Sequence, residues 1–166
     1  DGRRNHIFVM PASGGTPVDV MKDMDADAPS KPFGGRSEYT FTPDSRAIVF
    51  GARNAGREEA WSTNFDLFVA PADGSATPRN LTSANPAWDA HPAFSPDGRT
   101  LAYVAMKRPG YEADRQVIQL RDLATGQTRA LTDAWDRSVS SLAWTPDGRA
   151  LIVDAQDTLE NPLFRV

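Results

Sequence analysis

One hairpin motif occurs three times in the sequence, and this repetition limits the fold more than any other feature. In each copy an aromatic residue is followed by Ser or Thr, then by Pro-Asp, then by Gly or Ser, and then by Arg. A run of β-forming residues comes next. The copies begin at Phe41, Phe94 and Trp144. Pro at the second turn position and Gly at the fourth favour a type I turn, so each copy predicts two antiparallel strands joined tightly. Pro96 follows Pro43 by 53 residues and Pro146 follows Pro96 by 50, which indicates a structural repeat.

A second and weaker repeat lies between the hairpins. It consists of an apolar strand, a Gly-containing turn and a short strand, and its copies cover residues 7–15, 67–75 and 117–127. Each period is therefore predicted to hold four strands. Four antiparallel strands in about 40–50 residues, repeated along the chain, are typical of β-propeller blades. A β-sandwich is the rival fold, but it has no reason to repeat the hairpin motif at a near-constant interval.

The predicted fold class is therefore all-β, a partial β-propeller of four-stranded antiparallel blades. We expect residues 1–166 to form part of one propeller domain, with these units: 1–21, the end of a blade; 37–82, a blade; 90–132, a blade; 138–166, an incomplete blade. This gives about three blades, starting and ending mid-blade. An open ring would leave strand edges uncovered, so the chain is expected to be part of a larger polypeptide.

Composition excludes several classes of function. The net charge is −4 and Lys and Arg are scattered, so no nucleic-acid partner is expected, and no apolar run is long enough to predict a membrane partner. There is no Cys, and His6 and His91 lie in no metal-ligand spacing, so no metal site is predicted. No nucleotide-binding fingerprint or nucleophile elbow is present, so neither a cofactor nor a catalytic residue is expected within the chain.

The predicted topology separates tight turns from long connections. In a four-stranded meander, the turns after the first and third strands lie on one face, and the remaining connections lie on the other. The long and varied connections are 22–36, 54–64, 83–90, 107–115, 133–138 and 155–161. Because binding residues concentrate on loops held by a rigid scaffold, we expect the face with the long connections to carry function.

The connection after the fourth predicted strand holds the candidate substrate-binding residues. They are Glu58, Glu59, Trp61 and Asn64. Two carboxylates next to an aromatic ring could hold a cationic group such as a peptide N-terminus. The alternative is that both carboxylates are solvated loop charges and that Trp61 packs on the blade edge.

Two other features have less specific interpretations. The charged stretch 106–115 surrounds a Pro-Gly turn and could be an interdomain latch, a substrate-facing loop or a hairpin with local ion pairs. Asp89 follows Trp88, and Asp136 follows Trp135, ahead of two predicted first strands. This parallel suggests a structural role for the Asp residue that is repeated in each blade.

The repeated hairpins, with Asp-Gly turns and Asn80-Leu-Thr82, resemble the repeats of TolB-type propellers and of the propeller domain in prolyl oligopeptidase family serine peptidases. Residues 61–64 and 105–115 are similar to runs in dipeptidyl peptidase V and in acylaminoacyl-peptidase-like members. On these residues the chain is identified as a propeller-domain fragment of such a peptidase.

The resemblance implies a parent protein in which the propeller caps a C-terminal α/β-hydrolase domain that carries a Ser-Asp-His triad, and this domain is absent from residues 1–166. The implied partners are a short peptide substrate and that hydrolase domain, with homo-oligomerisation left open. In the family, acidic residues of a propeller insertion hold the substrate amine, and Glu58 and Glu59 are the matching pair, although here they precede the aromatic residue.

The family also suggests a periplasmic or secreted protein, with a cytoplasmic location left open. The alternative function is a TolB-like propeller that binds protein partners and performs no chemistry.

Overall fold

The computed structural model describes residues 3–31 and 34–166, in which regular structure is almost wholly β. Two short 3-10 helices cover Arg36–Glu38 and Gly56–Glu58. The strands are β1 (Phe8–Val9), β2 (Val18–Asp19), β3 (Tyr39–Phe41), β4 (Ala47–Ala52), β5 (Asp66–Pro71), β6 (Arg79–Asn80), β7 (Asp89–Phe94), β8 (Thr100–Ala105), β9 (Val117–Asp122), β10 (Thr128–Ala130), β11 (Val139–Trp144), β12 (Leu151–Ala155) and β13 (Leu163–Arg165).

The strands form four antiparallel sheets in which neighbours in sequence are neighbours in space. Sheet I contains β1 and β2, sheet II contains β3 to β6, sheet III contains β7 to β10, and sheet IV contains β11 to β13. Every pairing is antiparallel, so each sheet is a meander. The predicted all-β architecture of four-stranded antiparallel blades is confirmed.

Each inner sheet is buried on both faces by its neighbours. In β4, Ile48 and Phe50 join an apolar cluster shared with sheet I, whereas Val49 joins a cluster shared with sheet III. In β8, Leu101 faces sheet II and Val104 faces sheet IV. Successive side chains of a strand point to opposite faces, so a strand with two covered faces needs a continuous apolar run. This explains why β4 and β8 lack the alternation of apolar and polar residues that a half-exposed strand shows.

The repeated hairpin motif is held by hydrogen bonds that recur in every copy. In the copy between β7 and β8, the Ser95 hydroxyl donates to the Asp97 carboxylate at 2.6 Å and accepts the Thr100 N–H at 3.0 Å. The same carboxylate accepts the Arg99 N–H at 3.1 Å. Thr42 with Asp44 and Thr145 with Asp147 repeat the hydroxyl-to-carboxylate bond. The Ser/Thr and Asp of the motif therefore stabilise the turn directly.

The turns of successive sheets also contact one another. A Cβ placed on Gly98 would lie 3.1 Å from Cγ of Pro43, and one on Gly148 would lie 3.4 Å from Cδ of Pro96. The Pro of each turn thus packs against the Gly of the next. Both Gly residues have positive φ, 70° and 67°, so Gly suits this position for its backbone conformation as well as for its size.

The Asp residues that follow Trp88 and Trp135 are not equivalent, so this sequence-based interpretation is wrong. Asp89 begins β7 and its N–H donates to the Phe65 carbonyl, whereas in the next sheet the corresponding bond comes from Val139. Asp136 precedes β11 and its side chain is 81% exposed, paired with Arg137. The Trp-Asp pair does not mark the same position in both sheets. β7 begins directly after Trp88, whereas three residues separate Trp135 from the start of β11.

We predict that Ser45→Gly stabilises the protein. Ser45 occupies the turn position that Gly98 and Gly148 fill in the other copies, and its φ is 57°. A residue with a Cβ is strained in this conformation, so the free energy of unfolding should rise by about 0.5–1 kcal/mol. Thermal denaturation should show a melting temperature about 2 °C higher.

The reciprocal substitution Gly98→Ser is the matched control. It adds the same side chain at the equivalent turn and should lower the melting temperature, because the new Cβ meets Pro43. A gain in stability from Gly98→Ser would contradict this account of the turn.

Candidate functional site

The candidate residues lie on the connection between β4 and β5, residues 53–65. Gly56 has a φ of 53° and starts a helical turn in which the N–H of Glu58 donates to the Ala55 carbonyl at 3.0 Å. The N–H of Trp61 then donates to the Glu58 carbonyl at 3.1 Å. Glu58 and Trp61 are therefore one turn apart, and both side chains are exposed.

Arg53 closes the base of this loop. Its Nη1 donates to the Ser62 carbonyl at 2.9 Å, and its guanidinium lies 5.0 Å from the ring centre of Phe65. Phe65 packs in turn on Trp88, with ring centres 5.3 Å apart. The loop is thus fixed where it leaves β4 and where it enters β5, while its tip faces solvent.

The four predicted residues have different environments within this loop. Glu58 is exposed, and the Trp61 residue is 71% exposed, so the ring does not pack on the blade edge. Asn64 is half-buried, and its side-chain oxygen has no hydrogen-bond partner among the described residues. Glu59 is also half-buried and is held by a cation from outside the loop.

That cation is Arg4, which makes a bidentate ion pair with Glu59. Nη1 donates to Oε1 at 2.8 Å and Nη2 donates to Oε2 at 2.6 Å. The Arg4 Nε also donates to Asp25 at 2.7 Å, and Nη1 donates to Asp27 at 3.2 Å. These three carboxylates raise the pKa of Arg4 further above its usual value, the bond to Glu59 most strongly. Arg4 therefore joins the strand segment before β1 to the tip of the next sheet's loop.

Asp27 is the buried member of this cluster. Its carboxylate accepts the Asn5 N–H at 2.6 Å and pairs with Lys31 at 2.7 Å. Burial alone would raise the pKa of Asp27, but the bonds from Lys31, Asn5 and Arg4 outweigh it and lower the pKa. A cavity of about 30 Å³, lined by Asp27, Lys31, Arg53, Glu59 and Phe65, lies beside the pair. This volume suits one water molecule.

The pairing leaves the two neighbouring carboxylates in different states. Glu59 is oriented by Arg4, whose positive charge it shares with Asp25 and Asp27, whereas the exposed carboxylate of Glu58 makes no ion pair within the described residues. Glu58 and Trp61 thus present a free negative charge and an aromatic face on the same turn. Such a surface suits a cationic group, which gains both an ionic hydrogen bond and a ring to lie against.

The neighbouring loop, residues 106–116, contacts the candidate loop but is organised by its own charges. The Gly110 N–H donates to the Thr63 hydroxyl at 2.9 Å. The Asp114 carboxylate accepts the Lys107 and Arg108 N–H groups, each at 2.8 Å. Burial tends to raise the pKa of Asp114, but these N–H groups and the Arg108 guanidinium lower it to about 2. Arg108 thus pairs within the stretch, whereas Lys107 and Arg115 pair with Asp133 of the next connection, so local ion pairing accounts for only part of its charge.

Residues 3–31 and 34–166 contain no group of three or more His, Cys, Asp or Glu side chains that is arranged to hold a metal ion. His6 binds Asp19 through Nδ1 at 2.8 Å, and His91 lies at a bulge of β7 with a φ of 56°. Within these residues, no helix has the length and apolar character needed to cross a bilayer.

The sequence analysis missed Arg4, which holds Glu59, and the other charged residues of the same cluster. Those residues are Asp25, Asp27 and Lys31. Asp25 and Asp27 lie in the connection 22–36, whose position on the elaborated face was predicted, and that shared face was the available signal. The partner itself could not be inferred, because Arg4 precedes Glu59 by 55 residues and no periodicity relates the two.

We predict that Arg4→Met destabilises the protein by about 1 kcal/mol, because it removes a partly solvated cation from three carboxylates while keeping the length of the side chain. Arg4→Lys should recover only part of this loss, since an ammonium group cannot make the bidentate pair. Thermal denaturation measures both. Arg57→Met, at an exposed position of the loop, is the control and should change stability little; equal losses at both positions would contradict the ion-pair account.

The chain is similar to known proteins over most of its length. The chain is 30% identical over 165 residues to dipeptidyl-peptidase 5 of Porphyromonas gingivalis, covering 97% of this chain and 24% of that protein. It is 35% identical to probable dipeptidyl-peptidase 5 of Emericella nidulans and 34% identical to dipeptidyl-peptidase 5 of Aspergillus fumigatus, covering 85% and 84% of this chain and 20% of each relative. The chain thus spans about a fifth to a quarter of the length of these relatives.

The fold is also found among solved structures. Puromycin hydrolase superimposes on 93% of the chain with a TM-score of 0.64 at 20% sequence identity, through 24% of its own chain. No protein-family model matches the sequence. The predicted relationship to peptidases of the dipeptidyl peptidase V kind is confirmed, and the chain is homologous, over most of its length, to one part of the dipeptidyl-peptidase 5 proteins.

Proposed function

We propose that the chain is the non-catalytic propeller portion of a serine exopeptidase that cleaves short peptides, and that it restricts access and helps to bind the substrate N-terminus. The observation that carries this proposal is the pairing of Glu59 with Arg4, which leaves Glu58 and Trp61 exposed on one turn of a fixed loop. The similarity to dipeptidyl-peptidase 5 proteins also supports a peptidase that acts on peptides.

The proposed contact follows from the chemistry of a free peptide amine. An ammonium group carries one positive charge and three donors, and it is bound best by several acceptors in a fixed arrangement. Glu58 supplies the unpaired charge, Glu59 supplies an oriented carboxylate beside it, and Trp61 covers the bound group. The Asn64 amide oxygen also has no partner among the described residues, but it is buried and would have to become accessible to join this contact.

We further propose that the elaborated face meets the C-terminal hydrolase domain, which would supply the Ser-Asp-His triad. The equivalent connections of sheets II, III and IV each carry an exposed apolar side chain, namely Trp61, Tyr111 and Leu159. A large apolar side chain in solvent is unfavourable, so repetition on one face supports contact with a partner surface. In this proposal, residues 1–166 all belong to one propeller domain. The proposed class of peptidase also fits a secreted or periplasmic protein.

The same exposed side chains favour one alternative, a TolB-like propeller that binds protein partners. The two functions separate in a direct assay. If the complete protein hydrolyses dipeptide derivatives and a serine-directed inhibitor stops it, the peptidase is supported. If the complete protein has no such activity, the binding propeller is supported instead.

We predict that Glu58→Gln in the complete protein raises KM for dipeptide substrates with a free amine by about 10-fold or more, since an ionic hydrogen bond contributes about 1.5–3 kcal/mol. KM for the same substrates with an acylated N-terminus should stay nearly constant. Glu59→Gln should act in the same direction. Steady-state kinetics with matched free and acylated substrates provide the measurement.

Glu112→Gln is the matched control, because Glu112 is an exposed acid on the equivalent connection of sheet III. It should leave both KM values unchanged. An equal rise of KM for free and acylated substrates in the Glu58 variant would refute amine binding at this loop.

A further inference from the structure

Two buried carboxylates lie near the same hydroxyl, that of Thr82, at the junction between sheets II and III. Asp66 begins β5 and is 9% exposed, and Asp89 begins β7 and is 1% exposed. Thr82 lies between them: its hydroxyl is 3.4 Å from Oδ1 of Asp66 and is also close to the Asp89 carboxylate. One hydroxyl has one proton, so Thr82 can donate to only one of the two carboxylates at a time.

The other partners do not complete the hydrogen bonding of Asp89. Asn80 donates to Asp66 Oδ2 at 2.8 Å, and Asn85 donates to Asp89 Oδ1 at 2.9 Å. The Asp89 Oδ2 atom is buried and has no hydrogen-bond partner within the described residues. A buried, ionised carboxylate with an unsatisfied oxygen is costly, and a second carboxylate nearby adds to that cost.

No cation is paired with Asp89 from the elements that surround it. The titratable group on β5 is Asp66, and the one on β8 is Tyr103, whose pKa burial and Asp89 raise to about 12. A cavity of about 310 Å³ reaches Asp89 from outside and is also lined by Lys107 and Arg121. Lys107 pairs with Asp133, across the opposite junction.

The next junction shows that the fold does not require these acids. Leu67 N–H donates to the Thr82 hydroxyl, and Ile118 N–H donates to the Thr132 hydroxyl in the same way, at 3.0 and 2.9 Å. This register places Val117 where sheet II has Asp66. The Val139 N–H bonds to the Gln116 carbonyl as the Asp89 N–H bonds to the Phe65 carbonyl, so Val139 lies where sheet III has Asp89. Two Val side chains therefore replace the two carboxylates at an otherwise equivalent position.

We propose that Asp66 and Asp89 form a proton-binding pair that holds sheets II and III together while it carries a proton and weakens their junction when the proton leaves. A proton on the pair removes one buried charge and converts an unsatisfied acceptor into a donor. The Asp89 N–H donates to the Phe65 carbonyl at 2.8 Å, and Phe65 ends the candidate loop, so ionisation acts at the base of that loop. This inference does not depend on the proposed function.

The direction of the pH dependence follows from burial. Burial raises the pKa of Asp89 from 3.8 to about 7, with a smaller contribution from the charge of Asp66, against the lowering effect of Asn85 and Thr82. The pKa of Asp66 is also raised, chiefly by burial. An acid whose folded pKa exceeds its unfolded pKa stabilises the fold below the unfolded value, and this contribution is lost as the pH rises through the folded one. The window therefore runs from about pH 4 to about pH 7.

The test compares thermal denaturation of the wild type and Asp89→Asn between pH 4 and pH 8, because Asn imitates the protonated carboxyl. The two melting temperatures should nearly agree at pH 4, and the variant should melt about 3 °C or more above the wild type at pH 8. Asp136→Asn, which removes the exposed acid after Trp135, should follow the wild type at every pH. Parallel curves for wild type and Asp89→Asn would overturn the proposal.

A second measurement decides the question even if Asp89→Asn does not fold. Carbon NMR of the side-chain carboxyl groups in the wild type should show one buried Asp that titrates near pH 7, and Asp66→Asn should move that midpoint down. If every Asp carboxyl titrates near its ordinary value, the proposal fails. It also fails if sodium or calcium chloride at pH 8 stabilises the wild type but not Asp66→Asn, since a cation would then neutralise the pair.

Discussion

The burial of each sheet between two others is the constraint on which the rest of the structure depends. β4 sends Phe50 towards one neighbour and Val49 towards the other, and β8 divides Leu101 and Val104 in the same way. Burial of apolar area is the main favourable contribution to folding, and here most of that area is covered only by the next sheet. Stability is therefore shared between neighbours, and every turn and loop is positioned by this stack.

In the long loops, where little apolar area is buried, charged groups hold the chain in position. On the elaborated face, Arg4 fixes Glu59 from a separate sheet, and Asp114 orders its own loop by accepting backbone N–H groups. Such contacts hold exposed segments with modest energy and leave neighbouring side chains in solvent. Glu58 and Trp61 stay exposed because Arg53 holds the loop at its base and Arg4 holds it only through Glu59, so neither contact covers these two side chains.

The sequence was sufficient for the fold because the turn chemistry is local. Ser95 and Asp97 make their bonds within five residues, so the repeated motif reveals the hairpin, and the hairpins reveal the sheets. The candidate loop was located for the same reason. The pairing of Glu59 with Arg4 joins distant residues and has no repeated pattern. The interpretation that Asp89 and Asp136 are equivalent was wrong, because backbone register, and not the preceding Trp, decides which residue starts a strand.

The contacts between successive turns have a consequence for how the sheets can move. Pro43 against Gly98, and Pro96 against Gly148, join adjacent tips by close packing of small rigid groups. On the opposite face, the loop tips of adjacent sheets are joined by exposed bonds such as the one from Gly110 to Thr63, above the backbone bond from Asp89 to Phe65. Small changes in the angle between sheets should therefore widen the face with long connections first. A molecule bound there would meet a surface of adjustable width, while the spacing of the opposite rim stays constant.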